Sequence, residues 1–104
     1  MGATLVVWAL APRPELGLSK SARLVLVRMC VTAIDGDVAP WYGAGWVLLA
    51  DALGVDGKRG ELAVSRAIRE LRDAKLVELE TAGVHGRRAR YLLHVRPWDL
   101  DTAP

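Results

Sequence analysis

The stretch "ELETAGVHGRRARYLLHV", residues Glu78–Val95, decides the fold of this chain. Apolar and polar residues alternate on both sides of a turn that contains two glycines, and this pattern predicts a β-hairpin. We expect the strands at Leu76–Thr81 and Arg87–Val95, joined by the turn Ala82–Gly86. Because helices precede the hairpin, the domain is predicted to be α+β.

Three arginines follow the turn at once: Arg87, Arg88 and Arg90. If the strands pair side by side, two registers are open, namely Glu80–Arg90, or Glu80–Arg88 together with Glu78–Arg90. Either register satisfies at most two arginines. Arg87 has no strand partner in either one, so we expect it to point away from the molecule.

Three helices are predicted upstream of the hairpin by apolar spacing and capping residues. The first follows Ser19, a plausible N-cap, and extends to about Ile34. It is apolar nearly all round, so we expect it to be covered on more than one side. The second spans Trp46–Gly54 and ends at its glycine. A short edge strand is expected at Val38–Ala39.

The third helix has the clearest pattern in the chain. It is predicted over Glu61–Ala74, with Glu61 favourably placed at the positive helix N-terminus. Its apolar stripe consists of Val64, Ala67, Ile68 and Leu71. The preceding loop, Val55–Gly60, is predicted to be long and mobile and to carry two cations. After the helix stands Lys75, and because a left-handed lysine is costly, we expect the helix to continue to that residue.

Length and composition predict one ordered domain. The chain has 104 residues, 52% hydrophobic and 25% charged, which suffices to bury a core. The longest apolar run, Leu5–Ala11, is far shorter than the ~18 residues of a membrane span, and the N-terminus does not resemble a secretory signal. With one cysteine, Cys30, no internal disulfide forms. We expect a cytoplasmic protein in three parts: an apolar segment (1–18), a folded domain (19–96) and a tail (97–104).

Charge is distributed unevenly along the chain. Residues 58–96 contain ten Lys and Arg against five Asp and Glu, whereas residues 1–57 contain four against five. One half is therefore basic although the formal net charge is only +2. Such asymmetry predicts a surface for a polyanion.

The segments "LLADALGV", "VSRAIRELRDAKLVEL" and "HGRRARYLL" follow one another in the order second helix, third helix, hairpin. This order resembles the winged helix-turn-helix domains of small regulators and replication proteins of bacteria, plasmids and phages, over about residues 22–95. The resemblance implies a three-helix core with a C-terminal β-hairpin wing. It also implies sequence-specific binding of double-stranded DNA, most simply as a transcriptional regulator in the bacterial cytosol or nucleoid. The third helix would enter the major groove, and the wing would contact the backbone or minor groove.

Eight residues are the expected DNA contacts. The side of the third helix opposite its apolar stripe carries Arg66, Arg69, Leu62 and Asp73, with Ser65 and Arg72 beside them. A different interpretation makes this a solvated face with Arg66–Glu70 and Arg69–Asp73 pairs. The predicted contacts are Ser65, Arg66 and Arg69 on the helix, Lys58 and Arg59 on the loop, and Arg87, Arg88 and Arg90 in the wing.

Other features favour simpler roles. Trp41, Tyr42 and Trp46 are predicted to anchor the packing; stacking on single-stranded bases is the alternative. Cys30 is predicted to be a buried thiol. The sequence shows no metal-ligand spacing and no catalytic pair, so we expect neither an enzyme nor a cofactor.

The expected partners are double-stranded DNA and a second copy of the chain, with the first helix and N-terminal segment as candidate dimer surface. No small-molecule ligand and no membrane contact are expected. Two other functions stay open: a plasmid or phage replication or recombination accessory protein, and a winged-helix protein-interaction module or inhibitor that does not bind DNA.

Overall fold

The computed structural model describes residues 17–34, 40–81 and 89–94. The described elements confirm an α+β domain with three helices and a three-stranded antiparallel sheet. In chain order they are α1 (Lys20–Val31), β1 (Trp41–Tyr42), α2 (Trp46–Leu53), α3 (Gly57–Asp73), β2 (Val77–Thr81) and β3 (Arg90–Leu93). The apolar segment at 3–11, the strand expected at Val38–Ala39, the hairpin turn with Arg87 and Arg88, and the tail lie outside the described residues.

The core forms where the three helices meet the inner side of the sheet. Apolar side chains of α1 pack against both α2 and α3, and α3 also contacts β2. Burial of this apolar surface is the main stabilising contribution to the fold. The largest fully buried side chains are Tyr42, Leu26, Met29, Leu49, Leu71, Leu76 and Leu93. The predicted stripe of α3 is confirmed, because Val64, Ala67, Ile68 and Leu71 are all buried.

Helix α1 begins at the predicted N-cap. The Ser19 Oγ accepts a hydrogen bond from the Ala22 amide at 3.1 Å. In a capping box the third helical residue would be an acid that returns to the N-cap amide; here that position is Ala22, and the acid comes from α3. Glu70 accepts the Ser19 backbone N–H at 2.6 Å and the Ser19 hydroxyl at 2.8 Å. One carboxylate thus connects the start of α1 to the last turn of α3.

The prediction that α1 reaches Ile34 is wrong. The helix ends at Val31 with Thr32 as C-cap, whose hydroxyl donates to the Arg28 carbonyl at 2.9 Å. Ile34 instead exchanges two backbone hydrogen bonds with Trp41, each 2.9 Å long. Ile34 follows the helical spacing of apolar residues, but it pairs with the edge of the sheet. The spacing therefore predicted a helix that is too long.

The connection between α2 and α3 is much shorter than predicted. Gly54 ends α2 in the left-handed region, at φ 71°, as expected. Helix α3 then begins at Gly57 instead of Glu61, so only Gly54, Val55 and Asp56 separate the two helices. Gly60 permits this, since a Cβ there would lie 2.6 Å from the Val55 carbonyl oxygen. The long mobile loop is therefore a short turn followed by a helical turn.

The end of α3 also departs from the prediction. The helix stops at Asp73, and Lys75 adopts a left-handed conformation with φ 63°. The Leu76 amide donates to the Leu71 carbonyl and the Lys75 amide donates to the Arg72 carbonyl, both at 3.0 Å. These two bonds form a Schellman motif, a C-terminal cap usually built on glycine. The two hydrogen bonds of the motif and the burial of Leu71 and Leu76 outweigh the cost of the left-handed conformation of Lys75.

The sheet has the order β1-β3-β2. Val77 pairs with Leu93 and Leu79 with Tyr91, as the predicted hairpin requires, and a register shift separates Leu79 from Thr81. Strand β3 starts at Arg90. Past the strand, the His94 side chain lies 2.9 Å from Glu78 on the outer side. The hairpin prediction is confirmed for the part of the chain that the structure describes.

Cys30 lies fully buried on the inner side of α1, as predicted. Burial raises the pKa of its thiol to about 12, because a charged thiolate loses its hydration in the core. No helix among the described residues is long and apolar enough to cross a membrane.

Candidate functional site

The exposed side of α3 carries most of the predicted contact residues. Ser65, Arg66 and Arg69 are all exposed, and Leu62, on the same side of the helix, is 48% exposed. This orientation agrees with the prediction, because the opposite side of the helix packs into the core. The three side chains lie within two helical turns of one another.

Lys58 and Arg59 belong to the same surface. The prediction that they sit on a mobile loop is wrong, since both are in the first turn of α3. At about 100° per residue, the α3 cations Lys58, Arg59, Arg66, Arg69 and Arg72 fall within an arc of roughly 140°. We call the exposed side chains of this arc, including Ser65, the α3 basic face. A longer helix thus aligns cations that the sequence pattern had assigned to two elements.

The N-terminus of α3 adds to the positive potential. Its N-cap, Asp56, makes no side-chain capping bond, and its first turn contains no acid. The prediction that Glu61 would occupy this end is wrong, because the four extra residues move it to the second turn. Two carboxylates oppose this potential: Asp56 at the N-cap, and Glu61, whose exposed ion pair with Lys58 at 4.0 Å contributes little. The positive end of the helix dipole and the cations Lys58 and Arg59 therefore lie together at the first turn of α3.

Within the described segments, the carboxylates of α3 form no ion pair with its arginines. Arg66 and Arg69 form no ion pair or side-chain hydrogen bond with any residue that the structure describes, so neither i,i+4 pair of the alternative interpretation is present. Glu70, the expected partner of Arg66, is bound to Ser19 instead. Because that contact spans 51 residues, helical spacing alone gives no sign of it.

Arg90 differs from the α3 arginines. Its Nη1 lies 3.6 Å from a Glu80 carboxylate oxygen, so the Glu80–Arg90 ion pair of the first predicted register is present. The register shift after Leu79 nevertheless makes Thr81, and not Glu80, the strand partner of Arg90. Its guanidinium also stacks 3.9 Å from the centroid of the Trp41 ring. Both contacts hold Arg90 against the sheet. Arg87 and Arg88 lie outside the described residues and stay predicted contacts.

The three aromatic residues before and within α2 have different roles. Tyr42 is 1% exposed and donates its hydroxyl hydrogen bond to the Gly45 carbonyl at 2.6 Å, so it anchors the core as predicted. Trp41 is half-buried beneath Arg90. Trp46 is 37% exposed, so the prediction of core packing is wrong for this residue. Its indole lines a groove instead.

This groove is a feature that the sequence did not reveal. A cavity of about 580 Å³ lies between α2, α3 and β3, and a second of about 620 Å³ adjoins it along α3. Both are lined by Ser65, Ile68 and Tyr91. The groove therefore borders the α3 basic face on the side of the sheet. Its walls come from four elements, so no local pattern indicates it.

Helix α1 exposes apolar side chains on the side away from the core. Leu24 and Val31 are 49% and 57% exposed, and Ile34 after the helix is 52% exposed. At helical spacing Leu24, Val27 and Val31 share one side. Within the described residues α1 is thus covered on one side only, by α2 and α3. This exposed stripe is the surface predicted for dimer contact.

Among the described residues, no group of three or more His, Cys, Asp or Glu side chains is placed to hold a metal ion. Comparison with protein-family models, with curated proteins and with solved structures finds no match to this chain.

Proposed function

We propose that this protein is a winged helix-turn-helix domain that binds double-stranded DNA through α3. The supporting observation is that all five cations of α3 lie in one exposed arc, and Lys58 alone among them has an ion pair in the described part of the chain. An exposed helix with this charge fits the major groove, which is wide enough to admit an α-helix.

The roles of the side chains follow from their positions. Arg66 and Arg69 lie in the middle of the face, where a guanidinium can form a bidentate contact with the O6 and N7 atoms of a guanine. Lys58 and Arg59, at the helix start, are placed for phosphate contact together with the free backbone amides of the first turn. Ser65 is suited to a hydrogen bond with a phosphate or base edge.

The wing would contribute to the same interface. Arg87 and Arg88 follow the hairpin turn and remain candidates for the backbone or minor groove. Arg90 is a weaker candidate than the sequence suggested, because Glu80 and Trp41 already hold its guanidinium. The proposal therefore rests on α3 and does not depend on the wing.

The test is a salt titration of binding to duplexes selected from a random pool. Counterion release predicts that log K falls with log salt at about 0.9 per neutralised phosphate, so we expect a slope of about −3 to −5. The double variant K58A/R59A, which removes the two proposed phosphate contacts, should lose affinity for all duplexes and reduce the slope by up to about two units.

A matched control is K20A/R23A, which removes two exposed cations from α1. Its slope should stay within about 0.5 of that of the unmodified chain, because these residues are outside the proposed interface. If no duplex binds at low salt, or if the two double variants weaken binding equally, the proposal fails. A salt-independent complex with another protein would favour the interaction-module alternative.

We also propose that the protein acts as a homodimer. One recognition helix gives few base contacts, and two-fold symmetric sites are read by two-fold symmetric proteins. The exposed apolar side of α1 supports this idea. Light scattering at micromolar concentration tests it: we expect twice the monomer mass, and L24E should return the protein to a monomer. A monomer before substitution contradicts the dimer.

A further inference from the structure

One end of the groove beside α3 is lined mostly by apolar and aromatic side chains. Trp46, Leu49 and Val64 line it, with Tyr42 and Tyr91 as further aromatic walls. Glu61 also lines this end, and its carboxylate lies 4.0 Å from the Lys58 ammonium. The Tyr42 hydroxyl is already bonded to the Gly45 carbonyl, so it presents its ring and not a donor. Ligand sites are usually concave, mostly apolar and aromatic, and between 300 and 1,000 Å³. The cavity of about 580 Å³ fits that description.

The adjoining part of the groove is cationic. Arg69 and Arg72 line it together with Asp73, Ser65 and Tyr91. Within the described residues, neither arginine side chain has an ion pair or a hydrogen bond, and the hydroxyls of Ser65 and Tyr91 have no hydrogen-bond partner.

The charge of Arg72 reaches the phenol of Tyr91. Burial raises the pKa of the Tyr91 hydroxyl, and the positive charge of the nearby Arg72 guanidinium offsets part of this rise. The arginine is thus close enough to the shared wall of the two cavities to act on a group bound there. Two guanidiniums against one carboxylate leave this end of the groove positive.

We propose that the groove binds a small aromatic anion, with its ring beside Trp46 and Tyr91 and its anionic group on Arg69 and Arg72. Ser65 lies where the two cavities meet, because it lines both of them. Along the axis of α3 it is separated from Arg69 and Arg72 by about 6 and 10 Å. A bicyclic aromatic carboxylate spans that distance. The ring gains burial and a cation–π or stacking contact, and the carboxylate gains bidentate hydrogen bonds.

Occupancy of the groove would regulate the proposed DNA interface, and this part of the inference rests on the proposed function. Ser65 and Arg69 belong both to the groove and to the α3 basic face. A carboxylate bound to Arg69 neutralises a charge that DNA would otherwise use. The ligand and the duplex should therefore compete.

Binding is tested first without DNA, by titrating the protein with 2-naphthoate and recording amide chemical shifts. We expect a saturable response at Ser65, Ile68, Arg69 and Tyr91, with a Kd of about 0.1–1 mM for a ligand of this size. Naphthalene-2-carboxamide has the same shape without the charge and should bind about tenfold more weakly. Equal affinity for the two compounds, or shifts spread over the whole protein, would overturn the proposal.

Variants separate the two ends of the groove. R69A/R72A should weaken naphthoate binding about tenfold and leave carboxamide binding unchanged, because only the anionic contact is lost. W46A should weaken both compounds. The controls are K20A/R23A, for loss of two cations elsewhere, and V47A, for truncation of an exposed neighbour in α2 that does not line the groove. Controls that weaken binding as much as the groove variants would refute the site.

The competition experiment uses the selected duplex. Naphthoate near its Kd should roughly halve the apparent DNA affinity, whereas the carboxamide at equal concentration should not. Naphthoate binding without any DNA binding would support the groove while refuting the proposed function. DNA binding without naphthoate binding would refute the groove alone.

Discussion

The arginines of α3 and the arginine of β3 have the same chemistry but different surroundings. Among the described residues Arg66 and Arg69 have no carboxylate partner, because Glu70 is bound to Ser19 and Asp73 forms no ion pair. Arg90 lies between Glu80 and the Trp41 ring. In the sequence all three are basic residues on an outward face. The comparison teaches that sequence spacing alone does not decide whether a cation is paired: Glu70 binds Ser19 and not Arg66, whereas Glu80 does pair with Arg90.

The largest expected effect concerns the unpaired side of this comparison. R66A and R69A, made one at a time, should each cost roughly 1–3 kcal/mol of binding to the selected duplex and relax the preference at one base pair. The free energy of unfolding should change by less than about 0.5 kcal/mol, since both side chains are exposed and have no partner in the part of the chain that the structure describes. Binding to single-substituted duplexes, with urea unfolding in parallel, measures both. A stability loss without a binding loss would reverse the assignment.

The position of the α3 basic face is tested at Gly60. G60A places a Cβ against the Val55 carbonyl and the Ala50 side chain, so α3 must shift away from α2. We expect the unfolding free energy to fall by about 2 kcal/mol, despite the better helix propensity of alanine. S65A, an exposed position in the same helix, is the control for stability. An unchanged midpoint in urea would show that the two helices are packed less closely than described.

The contact that removes Glu70 from Arg66 is tested by E70A. Loss of the two bonds to Ser19 should lower the unfolding free energy by about 1.5 kcal/mol, a value near the lower end for hydrogen bonds to a charged group because the site is exposed. D73A deletes a carboxylate that has no described partner and should change stability by less than about 0.5 kcal/mol. If E70A and D73A have equal effects, the link between α1 and α3 contributes nothing.

Lys75 offers a gain in place of a loss. K75G should raise the unfolding free energy by about 1 kcal/mol, because glycine accepts the left-handed conformation that lysine holds at a cost. Thermal and urea denaturation report the change. K75A keeps a Cβ and should give no comparable gain, which distinguishes relief of backbone strain from loss of the charge.

The smallest expected effect belongs to Arg90. R90A removes an exposed ion pair and a cation–π contact, so stability should fall by about 0.5–1 kcal/mol. DNA affinity should fall less than about threefold, well below the effect of R66A. A tenfold loss of affinity at unchanged stability would place Arg90 with the α3 arginines and remove the contrast between the two regions.

The sequence predicted those parts of the fold that depend on local patterns. The apolar stripe of α3, the N-cap Ser19, the stop at Gly54 and the pairing of Val77 and Leu79 in the hairpin all follow from periodicity or capping chemistry. Each is specified by residues close together in the chain. The exposed orientation of Arg66 and Arg69 was predictable for the same reason.

The remaining features depend on contacts between distant residues. The start of α3 at Gly57 requires the close approach of Gly60 to Val55, and "VDGKRG" reads locally as a loop. The capture of Glu70 by Ser19 and the groove beside Tyr91 join several elements. The conformational preference of lysine alone predicted that the helix would continue to Lys75. The packing of the neighbouring residues determines instead that Lys75 completes a left-handed cap.

The buried thiol of Cys30 has a practical consequence for measuring these effects. Because burial raises the pKa of this thiol to about 12, the reactive thiolate is far rarer at neutral pH than in an exposed cysteine. Maleimide reagents should therefore pass over it while the protein stays folded. A cysteine introduced at Val47, which is 60% exposed, would accept a single fluorophore in the native background, ready for distance measurements.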